Sequence, residues 1–192
     1  MELIDEIREL IAHRVERLYG LRMLVVESLK DSKVAQALIP ELCGLISNSK
    51  EYYSVRSAAM DVVHALLPQN IVAATMNMLE ALGDEDSLRL ALDFAHQLHY
   101  EKVPATQLAR IAFLYALTDS RMAGKFYYLA LKLPAAKIPE FLHRFESAMS
   151  QVADHQLGWE CESDLQELVF RLLARGIAND VVNTALLLAC IS

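Results

Sequence analysis

Apolar residues recur every three or four positions along almost the whole chain, the period of helices buried on one side. Leu3, Ile7, Leu10, Ile11 and Val15 make the first stripe, closed by Tyr19-Gly20. The same period predicts helices over 21–30, 34–46 with Pro40 inside, and 55–67, then over 70–82, 87–99, 104–117 and 121–133. After Pro134 the pattern loosens. One longer helix is predicted over 135–153 and another over 164–174, stopped by Arg175-Gly176. A last helix is predicted over 181–190, capped by Asn179 or Asp180.

Six Gly and five Pro in 192 residues are too few turn formers for an all-β chain. The predicted class is all-α. Hydrophobic residues reach 54%, yet charged residues still make up 22%, which suits amphipathic helices with a generous apolar face. Short links between helices of this length favour antiparallel neighbours.

A repeat emerges from the arginines. Arg22, Arg56, Arg89 and Arg121 each stand near the start of the second helix of a predicted pair, at spacings of 34, 33 and 32 residues. Small or apolar residues follow each of them at the second and third positions. A 32-residue register also aligns Asp61 with Asp93 and Lys125, and His64 with His96 and Tyr128.

The segment Leu38-Ile39-Pro40-Glu41-Leu42-Cys43-Gly44-Leu45-Ile46, followed by Val55-Arg56-Ser57-Ala58-Ala59, resembles a HEAT or armadillo-like repeat. Leu82-Gly83-Asp84-Glu85-Asp86-Ser87-Leu88-Arg89 is similar to another. The resemblance covers about residues 1–133 and is strongest over 33–100. It implies a right-handed α-solenoid of about four antiparallel helix pairs, with 134–192 as a C-terminal helical cap packed on the array, all within one continuous domain. It also implies that the arginine ladder is structural, Arg56 reaching Asn48 and Arg89 reaching Asp84 or Asp86.

Chemistry is sparse. No Gly-rich phosphate loop, zinc motif or nucleophile beside a base stands out, so no catalytic residues, cofactor or metal are expected. His96 and His99 with Asp93 and His64 are weak as ligands, and Cys43 in its Leu/Ile-rich segment looks inert. Three scattered cysteines, no signal-like N-terminus and no apolar run beyond 181–191 predict a cytoplasmic chain without membrane insertion.

The expected function is therefore a non-enzymatic protein-binding scaffold or adaptor, with a chaperone as a special case. Its partner groove is predicted at Met60, Asp61, His64, Asp93, His96, Lys125, Tyr127, Tyr128 and Lys132. The alternative is a HEAT-like nucleic-acid binder or DNA-repair glycosylase, which a net charge of −7 disfavours. The apolar run Ala185–Ile191 is either a buried cap, the favoured reading, or a surface for a partner or a second copy of the chain.

Overall fold

The computed structural model describes residues 2–12, 18–66, 71–118, 123–150 and 159–191. Among the described residues the chain is all-helical and contains no strand. It divides into two compact units, Met1–Leu82 and Gly83–Ser192.

The first unit holds α1 (Glu2–Ala12), α2 (Tyr19–Ser28), α3 (Ile39–Ser47), α4 (Tyr53–Leu66) and α5 (Ile71–Leu82). There α3 packs on α4, α1 on α3 and α2 on α4. Leu38, Leu42, Ile46, Val55, Ala59 and Val63 are buried between them. The small Ala58 and Ala59 let the neighbouring helix approach α4 closely.

The second unit holds α6 (Glu85–Gln97), α7 (Ala105–Ala116), α8 (Ala123–Lys132), α9 (Ile138–Met149), α10 (Trp159–Ala178) and α11 (Thr184–Ile191). Helix α7 packs on α6 and α9, α8 on α6 and α10, and α9 also on α10 and α11. Phe94, Leu108, Ile111, Leu129, Phe141 and Leu172 anchor this core.

Several predicted boundaries move, each for a local reason. Pro40 does not sit inside a helix. A 3-10 turn over Ala35–Leu38 precedes it, and Pro40 stands in the first turn of α3, where its missing N–H is not needed. Ile138-Pro139-Glu140 repeats this: the 3-10 turn Ala135–Lys137 leads into α9, so the single helix predicted over 135–153 is divided.

Gly176 does not stop α10, which runs on to Ala178. A Cβ at Gly176 would lie 2.2 Å from the Val182 Cγ2, so glycine is there for close approach. The stop is Asp180, in the left-handed region at φ 55°, with Val181 N donating to Gly176 O and Asp180 N to Ile177 O. The cap of α11 is Asn183 rather than Asn179 or Asp180, its Oδ1 accepting from Leu186 N at 2.9 Å. Helix α11 is not a buried cap either. Every residue from Val181 to Cys190 is half-buried or exposed, and Leu188 is 58% exposed.

No helix among the described residues is long and apolar enough to cross a membrane.

Candidate functional site

Helix α6 begins at a strong cap: Asp84 accepts from Ser87 N at 3.0 Å and also from the Ser87 hydroxyl. From that start, Asp93 and His96 fall three residues apart on one face. On α8, Lys125 and Tyr128 have the same spacing. Because α6 and α8 pack together, the two pairs meet. Lys125 Nζ donates to Asp93 Oδ1, and the His96 ring stacks on Tyr128 with centroids 5.0 Å apart. The residues aligned by the 32-residue register are thus side-by-side neighbours in this unit.

The C-terminal end of α6 completes the cluster. His99 and Tyr100 both adopt left-handed backbone, at φ 51° and 58°. Such a pair costs on the order of 1–2 kcal/mol per residue. Tyr100 N donates to Ala95 O and His99 N to His96 O, ending the helix. The turn places the buried Tyr100 ring 5.8 Å from His96. Burial, reinforced by the Asp93 charge, pushes the Tyr100 phenol above its ordinary range.

Lys137 fastens the chain beyond this turn. Its ammonium donates to the carbonyls of Tyr100, Glu101 and Val103 at 2.8, 2.7 and 2.6 Å. Burial lowers its pKa, while Glu140 and Glu101 oppose that shift. Sequence reading missed this clamp, since its partners are backbone atoms about 35 residues away.

Outward from the Asp93–Lys125 pair lies an aromatic patch. Tyr127 and Tyr128 meet edge to face at 5.8 Å and remain 46% and 48% exposed. Leu131 and Lys132 are exposed beside them on α8. Arg171 on α10 lies 5.0 Å from the Tyr127 ring centroid and also bonds Glu167 at 2.8 Å. Beneath it a cavity of about 320 Å³ is lined by Gly124, Phe126, Tyr127, Asp164, Leu168 and Arg171 among others.

The remaining predicted positions lie on α4 of the first unit. Met60 is buried in the core, so it cannot present a surface to a partner. Asp61 and His64 are half-buried, and Asp61 lines a cavity of about 430 Å³ of mixed character, with Glu27, Lys30 and Ser57 beside Met23 and Val62.

The arginines are tied to helix ends. Arg22 donates to Leu10 O and Ile11 O, in the last turn of α1, and to both carboxylate oxygens of Glu51. The Arg56 Nε donates to Ile46 O, in the last turn of α3. Asn48, its expected partner, has its Oδ1 accepting from Lys50 N. Arg22 and Arg56 are buried, Arg89 is half-buried, and Arg121 lies outside the described residues. Arg175 does the same work for α8, donating to Ala130 O and Leu133 O.

Burial raises the thiol pKa of Cys43, and burial with the Glu146 charge raises that of Cys190. Among the described residues no group of His, Cys, Asp and Glu is arranged to hold a metal ion. Comparison with known protein families, curated proteins and solved structures finds no match to this chain.

Proposed function

We propose that the chain is a protein-binding scaffold or adaptor of the helical-repeat type, without catalytic chemistry of its own, and that it engages its partner through the α6–α8–α10 face. The observation that carries this reading is the exposed Tyr127–Tyr128 pair, braced by Arg171 on one ring and by His96 on the other. Tyrosine and arginine dominate protein interfaces because they bury large area at low entropic cost. Rings already packed against each other and against a guanidinium have little freedom left to lose on binding.

Two further observations support the repeat-type architecture. Within each unit, helices pack on next-but-one neighbours, α1 on α3 and α2 on α4, α7 on α9 and α8 on α10. Arginines close the ends of three helices in the same manner. The solenoid reading builds on these recurrences. A groove for nucleic acid needs unmatched positive charge beside its aromatic rings, and the Lys125 charge near Tyr127 and Tyr128 is matched by Asp93.

The test is affinity purification from the native host, comparing the unaltered chain with a Tyr127→Ala/Tyr128→Ala variant after nuclease treatment. A partner protein enriched by the first and lost by the second, at equal melting temperature, is the expected result. Retention by the variant, or enrichment of nucleic acid in samples not treated with nuclease, overturns it.

A further inference from the structure

A second surface lies at the other side of α10. Helices α9, α10 and α11 enclose an open cleft of about 600 Å³. On α9 it is lined by Leu142, Phe145, Glu146 and Met149, and on α10 by Glu162, Leu165, Gln166, Val169 and Phe170. Both sets follow the three- and four-residue spacing of a single helix face. Leu142, Phe145 and Leu165 are buried at the base of the cleft, whereas Met149 and Val169 are half-buried and Phe170 is exposed.

Ala189 and Cys190 of α11 line one edge of the cleft without closing it. Phe170 is 61% exposed at the cleft margin, and Leu188 on α11 is likewise open to solvent. Among the described lining residues the only charges are Glu146 and Glu162, both negative. An occupant therefore needs an apolar stripe for the floor and positive charge for the rim.

We propose that this cleft receives an amphipathic helix of a partner protein bearing lysine or arginine, its apolar stripe on Met149, Val169 and Phe170 and its cations at Glu146 and Glu162. The proposal rests on the protein-binding reading only for the class of partner. It uses none of the Tyr127–Tyr128 patch, so the two can fail separately.

The test titrates the full chain, at physiological ionic strength, with three synthetic peptides. One has leucines at helical spacing and lysines elsewhere, the second has glutamate for lysine, and the third is a scramble of the first. The leucine–lysine helix is expected to bind at least about tenfold more tightly than either control. Phe170→Ala, at an exposed position that folding tolerates, should weaken it roughly fivefold. Glu146→Gln/Glu162→Gln should remove the preference for lysine over glutamate, while Tyr127→Ala/Tyr128→Ala leaves binding unchanged. Equal binding of the helix and its scramble overturns the proposal, since net charge alone then accounts for the attraction. So does indifference to the Phe170 and glutamate variants. Self-association abolished by Phe170→Ala, with no peptide uptake, assigns the cleft to a second copy and overturns it too.

Discussion

Arg22 and Glu51 form an ion pair at 2.8 Å with both side chains only 1% exposed. The contact is bidentate, and the same guanidinium also closes the end of α1. Glu51 Oε1 in turn accepts from Tyr52 N, fixing the entry to α4. Glu51→Gln leaves a buried cation without its counter-charge and should cost about 3–5 kcal/mol of unfolding free energy. Arg22→Leu/Glu51→Leu should cost well under the sum of the two single changes. Urea denaturation of the unaltered chain, Glu51→Gln, the two single leucine variants and the double variant checks both statements.

Lys137→Met removes three donors from the Tyr100–Val103 carbonyls. Water can partly replace them at this half-buried site, so a loss of about 1–2 kcal/mol is expected. Amide exchange should accelerate over 98–103 before it does elsewhere in the second unit.

Gly176→Ala places a methyl against Val182. Overpacking of this kind costs about 1–3 kcal/mol. Adding Val182→Ala should recover much of the loss, and a double-mutant cycle on melting temperatures would show it. Additive effects would mean that the close approach is not what selects glycine here.

His99→Gly is expected to stabilise the protein. The exposed residue holds φ at 51°, which glycine adopts without steric penalty. Greater freedom of the unfolded chain offsets part of the gain, leaving about 0.5–1 kcal/mol. A lower melting temperature for the variant would show that the His99 side chain contributes more than its backbone conformation costs.

Alkaline pH should destabilise the second unit. Burial raises the phenol pKa values of Tyr100 and Tyr115 in the folded state above the ordinary 10.0. The folded protein then holds protons that the unfolded chain releases, so stability is complete below about pH 10 and falls above it. Lys137, lowered from 10.5, works in the opposite direction just below that value. Tyr100→Phe should therefore flatten the alkaline limb of a stability profile measured by denaturant titration.

Helix content was legible because apolar spacing reports burial directly. Arg22 and Arg56 were legible as one register, each closing the helix before it, and so was the meeting of Asp93 with Lys125 and of His96 with Tyr128. Partners of buried charge were not. Arg56 bonds a helix carbonyl, and any residue type offers the same carbonyl to the chain. Met60 shows a related blind spot: its neighbours Asp61 and His64 are half-buried, and an error of one residue, about 100° of rotation, carries a core residue into a predicted groove. The α9–α10 cleft was missed because its lining is ordinary core spacing. Its exposed margin at Phe170 is visible only in the structure.

The carbonyls that end α1, α3 and α8 are each satisfied by an arginine from a different helix, Arg22 from α2, Arg56 from α4 and Arg175 from α10. Excising a donor helix would thus strip polar groups bare at the end of the helix it closes. Loss of α2, α4 or α10 alone should therefore cost the helix it closes as well as its own packing.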